Sequence, residues 1–188
     1  MILSKKDLKF YLQEDAKRFS LQSVFRYRIK LIYGSEDAHI LRYLKVLRTY
    51  EYYSNCRRDP FGIILRYYFR FRWMRLSLKY NIRIGINMVG YGFYMAHLAG
   101  GCIINCASMG NYCSVNSGVV IGNKDISTSV PAIGDFVKLS VGSKVFGKVI
   151  IGNNVVVAPN AVVVKSIPAN TIVGGVPASF IKNRIEPV

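Results

Sequence analysis

A hydrophobic period of six residues runs through the second half of the chain and restricts its fold more than any other feature. Counted in sixes from Ile103, the positions are Ile103, Met109, Val115, Ile121, Ser127, Ile133, Leu139, Val145, Ile151, Val157 and Val163. All but Ser127 are aliphatic or Met. This period matches neither a helix nor a half-buried strand. It fits a coil of three short strands, about 18 residues per turn, in which one bulky aliphatic per strand fills the interior. Small residues follow many of these positions (Gly110, Gly122, Gly134, Ser140, Gly152, Ala158) and permit the corners. Stacked turns bury a continuous core. The repeat extends over about 90 residues, hence roughly five coils. Ser127 falls in the polar stretch Lys124–Pro131, which is expected to protrude as a loop, a usual place for function on repeat scaffolds.

The first half reads differently. Residues 1–80 are expected to form a basic, aromatic-rich helical region, residues 81–180 the coil, and residues 181–188 a C-terminal tail. Leu41, Leu44, Val46 and Leu47 mark one helix, and Phe61, Ile64, Leu65, Tyr68 and Phe69 recur at i, i+3, i+4 spacing on another. Asp59-Pro60 predicts the start of that second helix, with Asp as N-cap and Pro at the first helical position.

The formal charge is +16, from 26 Lys/Arg and 10 Asp/Glu. Residues 1–83 carry +12 of it, and residues 57–83 are densely basic. Such a surface suits anionic lipid, an acidic polymer or plain solvent. A basic amphipathic helix packs either on a membrane surface or on its own domain or a neighbouring subunit. Nucleic acid is not expected, because no recognition motif accompanies the charge. Gly90-Tyr91-Gly92 lacks the third glycine and the βαβ context of a dinucleotide fingerprint.

Cys56, Cys102, Cys106 and Cys113 form no CxxC pair and no His/Cys cluster with zinc spacing, so no metal is expected. The three cysteines inside the repeat read as small apolar core residues of a reduced, cytoplasmic protein, with the inner membrane surface as a further location. Charges in Met1–Lys9 argue against a signal peptide, and interrupted apolar runs argue against a transmembrane helix.

The repeat followed by Ile167-Pro168-Ala169-Asn170-Thr171-Ile172-Val173-Gly174-Gly175-Val176-Pro177-Ala178 resembles the hexapeptide-repeat acyltransferase superfamily. Its Gly-Val-Pro-Ala ending is typical of the serine acetyltransferase and sugar O-acetyltransferase branches. The stretch from Gly90 to Asn105, in which a glycine-rich strand leads to His97 and then Gly100-Gly101, looks like the entry to the catalytic coil of the serine acetyltransferases. The resemblance covers about residues 80–183. It implies a left-handed parallel β-helix, acetyl-CoA as co-substrate and a homotrimer with the site between two subunits.

The resemblance also implies roles. His97 matches the family's general base, and imidazole suits that task near neutral pH. Val141, Gly142, Pro159, Val164, Lys165 and Lys182 match positions that contact the pantetheine and phosphates of acetyl-CoA. The other histidine, His39, lies in the helical half outside any motif. Three departures stand out. Ile82 occupies the place of the aspartate that orients the histidine, Ala96 replaces the aspartate just before it, and Val130 stands where a second histidine precedes Pro131. With no aspartate partner, Asn105, Asn116 or a backbone carbonyl is the expected orienting or substrate-binding group.

These departures argue against L-serine and favour a saccharide hydroxyl, in a capsule or other surface polysaccharide or its precursor, as the acceptor. Serine O-acetylation is the alternative. A non-catalytic β-helix binding scaffold and N-acetylation of an amino sugar stay open as well.

Overall fold

The computed structural model describes residues 1–124 and 129–185. Four helices precede a parallel β-solenoid: α1 (Lys5–Arg18), α2 (Val24–Ile32), α3 (Glu36–Cys56) and α4 (Pro60–Tyr80). The solenoid is a left-handed β-helix of about four turns with three faces. The first face stacks β1 (Ile82–Ile84), β3 (Cys102–Ile104), β6 (Val119–Gly122), β9 (Lys144–Phe146) and β12 (Val162–Val163). The second stacks β4 (Ser108–Met109), β7 (Ala132–Ile133) and β10 (Ile150–Ile151). The third stacks β2 (Tyr94–Met95), β5 (Ser114–Val115), β8 (Lys138–Leu139), β11 (Val156–Val157) and β13 (Thr171–Gly174). β14 (Ser179–Asn183) folds back antiparallel on β13, so residues 181–183 belong to the sheet rather than to a tail.

The six-residue period appears as burial. Met109, Val115, Ile121, Ile133, Leu139, Val145, Ile151, Val157 and Val163 all point inward. A second inward set lies two residues earlier: Cys113, Val119, Val137, Ser143, Val149, Val155 and Ala161. Two inward residues per face give the prism a filled interior. The reference residue is the exception. Ile103 is 46% exposed, and its neighbours Cys102 and Ile104 point inward instead. The corner between β3 and β4 is one residue shorter than the repeat, so the inward position shifts from Ile103 to Ile104. Ser127 and the middle of the expected loop lie outside the described residues.

Each turn needs a residue with positive φ where the second face passes into the third: Gly92, Tyr112, Phe136, Asn154 and Asn170. Asn tolerates that region well, whereas aromatic residues rarely occupy it. Tyr112 and Phe136 are held there by stacking on one another, with ring centroids 5.5 Å apart and an interplanar angle of 10°. The Tyr112 hydroxyl also donates to Glu14 of α1 at 2.9 Å.

The helices close the open end of the prism. Ile40, Leu41, Leu44 and Leu47 of α3 join Ile82, Ile84, Phe93 and Met95 of the first turn in one core. Polar contacts fix the docking along the length of α3. The Tyr43 hydroxyl accepts from the Ile84 amide and from Trp73 Nε1 of α4. Arg48, fully buried, donates to Asp15 of α1, to Glu51 and to the carbonyls of Val89 and Gly90. Burial alone would depress the guanidinium, but Asp15 and Glu51 outweigh it and keep it charged. Asn55 and Asn87 exchange amide hydrogen bonds at 2.8 and 3.0 Å. Helix α4 starts at Pro60 with Asp59 accepting from the Gly62 amide, as the sequence predicts.

Cys102, Cys106 and Cys113 are buried in the solenoid, and burial pushes each thiol up to about 12. Cys56 is half-buried. At pH 8 the native protein should therefore present one thiol, Cys56, to a maleimide, and four after denaturation. Counting labelled cysteines by mass spectrometry checks this. Labelling of a second cysteine at a similar rate in the native state would contradict it.

Candidate active site

The corner joining the third face to the first carries His97. Its rung begins at β2, where the Ala96 amide donates to the Val115 carbonyl at 3.1 Å. Met95 points into the core and the chain then leaves the sheet, so His97 turns outward with its side chain 60% exposed. Gly100 and Gly101, both at positive φ, bring the chain back into β3. A side chain at Gly101 would meet the Asn81 carbonyl oxygen at 2.6 Å, so the return needs glycine.

The ring is not unsupported. His97 Nδ1 lies 3.0 Å from Oε2 of Glu36, the first residue of α3. Gly34, at positive φ, ends the α2 connection, and Ser35 precedes the helix. A carboxylate in the first turn interacts favourably with the helix dipole. The core contacts of α3 described above hold this end of the helix over the His97 corner. With the carboxylate accepting from Nδ1–H, the neutral ring keeps its lone pair on Nε2, directed away from Glu36. This is the geometry of a general base with an orienting carboxylate.

Glu36 corrects the expectation that an asparagine or a backbone carbonyl orients His97. Asn105 follows β3 at a different corner, where its amide donates to the Ile121 carbonyl. Asn116 sits on the His97 edge one turn further on, but its side-chain oxygen accepts from the Ser117 amide. Ile82, in the place of the family's aspartate, is 1% exposed in the core. The carboxylate is supplied instead from the helical region. His39 has a separate role: its Nδ1 pairs with the Tyr80 hydroxyl at 2.9 Å between α3 and α4.

The other residues singled out in the sequence fall into groups. Asn116, Val141, Gly142 and Pro159 follow His97 along the same edge, rung by rung, through the pairings Asn116 to Leu139, Ser140 to Val157 and Ala158 to Val173. At about 4.8 Å per rung, Pro159 lies about 14 Å from the His97 rung. Val141 is 44% exposed and presents an apolar side chain on this edge. Val164 and Lys165 lie on the next edge, after β12, with Asn105. Lys182 lies on β14, opposite Ile172. A cavity of about 260 Å³ opens beside the edge between Ala96, Asn116, Tyr94 and Lys138. Among the described residues, no group of three His, Cys, Asp or Glu side chains is arranged to hold a metal ion.

Comparison with known proteins shows what the chain is similar to. No protein-family model matches the chain. A serine acetyltransferase of Synechococcus elongatus is 30% identical over 119 residues, 61% of this chain and 48% of that protein. One from Staphylococcus epidermidis is 32% identical over 98 residues, 51% of this chain and 46% of that protein. Over these residues the chain is similar to members of the serine acetyltransferase-like branch of the hexapeptide-repeat acyltransferase superfamily. The chain spans about half the length of the curated relatives it matches.

Solved structures agree on the fold well beyond the solenoid. The serine acetyltransferase of Neisseria gonorrhoeae superposes with a TM-score of 0.71 at 24% identity, covering 97% of this chain and 67% of that one. A structure of that enzyme in complex with serine gives 0.66 at 24% identity, over 95% of this chain and 71% of that one. A Brucella abortus serine acetyltransferase in complex with coenzyme A gives 0.66 at 18% identity, over 96% and 70%. The superposed part thus includes the helices.

The preference for a saccharide acceptor is overturned by these findings. The relatives are serine acetyltransferases. The main argument against serine, the absence of a carboxylate beside the histidine, fails because Glu36 supplies one.

Proposed function

We propose that the protein is an acetyl-CoA-dependent serine O-acetyltransferase with His97 as general base. The observation that carries this reading is the exposed His97 ring held through Nδ1 by Glu36. The serine acetyltransferase relatives, with neighbours solved in complex with serine and with coenzyme A, support the choice of substrates.

In this mechanism His97 Nε2 takes the proton of the serine hydroxyl as the oxygen attacks the thioester carbonyl. Glu36 stabilises the imidazolium that forms. The tetrahedral intermediate collapses, the carbon–sulfur bond breaks, and the proton on Nε2 passes to the departing coenzyme A sulfur. The products are O-acetylserine and free coenzyme A. Acetyl-CoA is a co-substrate here, with its thioester brought to the His97 edge.

Val141, Gly142 and Pro159 line the edge that starts at His97, whereas Val164 and Lys165 occupy another edge of the same prism. The face β1-β3-β6-β9-β12 separates the two. One ligand reaches both sets only when the second edge comes from a neighbouring copy. This favours a homotrimer with the donor in the cleft between subunits. Lys165 and Lys182 then supply charge for the coenzyme A phosphates.

Coenzyme A release from acetyl-CoA, followed with a thiol reagent, tests the assignment. L-serine should accelerate release at ordinary enzymatic rates, and O-acetylserine should appear in equal amount. Release indifferent to serine would overturn it.

A further inference from the structure

Helix α4 is amphipathic in the wrong sense for a helix that only covers its own domain. Gly62, Leu76 and Tyr80 mark its buried side, with Phe69 and Trp73 packed against the core. The opposite side carries Ile64, Tyr67, Phe71, Met74 and Leu78, all exposed, at i, i+3, i+7, i+10 and i+14. That spacing makes one continuous ridge along the outside of the helix. On a helical wheel, Arg66 and Arg70 flank the ridge on one side and Arg72 and Lys79 on the other.

Helix α2 adds to the same surface. None of its residues is buried, and Phe25, Ile32 and the following Tyr33 are 75%, 84% and 86% exposed. Both α2 and α4 pack against α3, so the two helices flank it. Together α2 and α4 hold Arg26, Arg28, Lys30, Arg66, Arg70, Arg72, Arg75 and Lys79, with no Asp or Glu.

We infer that the α2–α4 surface docks on an anionic lipid bilayer. An apolar ridge bordered by cations is what a helix lying in the headgroup region presents: side chains for the acyl boundary and charge for the lipid phosphates. A second copy is disfavoured by charge, since the same face would meet eight like charges on a chain of formal charge +16. Nucleic acid would leave the aliphatic ridge without a partner. No helix among the described residues is long and apolar enough to cross a membrane, so the contact is peripheral.

The test is co-sedimentation of the full chain with vesicles of phosphatidylcholine alone or mixed with phosphatidylglycerol. The mixed vesicles should bind the protein at least tenfold more tightly, and binding should weaken as salt is raised. The double variant Phe71→Glu/Leu78→Glu should bind them at least tenfold more weakly at an unchanged melting temperature, because both residues are exposed. Equal partitioning to the two vesicle types, or unaltered binding by the variant, overturns the proposal. So does a lipid-free assembly that the variant halves in ultracentrifugation, which assigns the ridge to a second copy.

Discussion

Replacing His97 by alanine is expected to lower kcat for serine acetylation about 10²- to 10⁴-fold, the usual contribution of a positioned general base. The KM for acetyl-CoA should change little, because the ring acts on the acceptor proton and not on the donor's binding contacts. Stability should also change little, since an exposed side chain with one partner is removed. Steady-state kinetics with serine and a thermal melt check the two halves of this expectation together. A variant that keeps wild-type kcat would remove His97 from the mechanism, and one that fails to fold would give it a structural role instead.

The second expectation concerns Glu36, the residue on which the assignment now depends. Glu36→Gln preserves size and leaves a side-chain oxygen able to accept from Nδ1–H. It removes the charge that stabilises the imidazolium. A hydrogen bond to a charged group contributes about 1.5–3 kcal/mol, against about 1 for a neutral one. The partly exposed setting keeps the effect below that of a buried carboxylate. The expected loss in kcat is about 10- to 100-fold. Glu36→Asp keeps the charge one methylene further from the ring, so it should fall between glutamine and wild type. Glu36→Lys should be the worst of the series, because a cation opposes the protonated ring. A flat response across the series would show that the contact with His97 has no catalytic role.

What could be read in the sequence follows from range. The solenoid was legible because its rule is local: every sixth residue faces the core, and ten-odd repetitions outweigh any single irregularity. The irregularity still mattered at Ile103, where a corner one residue short turned the reference side chain outward. Helix α4 was legible at its start, since Asp59-Pro60 acts on the nearest amides. Which way it faced was not, because an apolar stripe reads the same whether it meets a core or the outside. Its Phe61, Ile64 and Tyr68 proved exposed, and only Leu65 and Phe69 of that stripe turn partly inward.

The site divided in the same way. His97 was found through a motif on one stretch of chain. Glu36 was not, since it lies 61 residues away and meets His97 only because α3 caps the first turn of the solenoid. A cue existed: the chain has only ten acidic residues, and Glu36 opens a helix beside another of them, Asp37. Ile82 showed that the usual position is apolar, but not that the carboxylate had been supplied from elsewhere. From that gap came the mistaken preference for a saccharide.

In the proposed mechanism Glu36 fixes the His97 ring as a base with its free lone pair on Nε2. Nitrogen-15 NMR of the imidazole rings tests it most directly, and with two histidines in the chain the His97→Ala spectrum assigns the signals. At a pH where the ring is neutral, His97 should carry its proton on Nδ1, and Glu36→Gln should shift the population toward the Nε2–H tautomer. A His97 ring protonated mainly on Nε2 in the unaltered protein, with Glu36→Gln leaving it unchanged, would contradict the account.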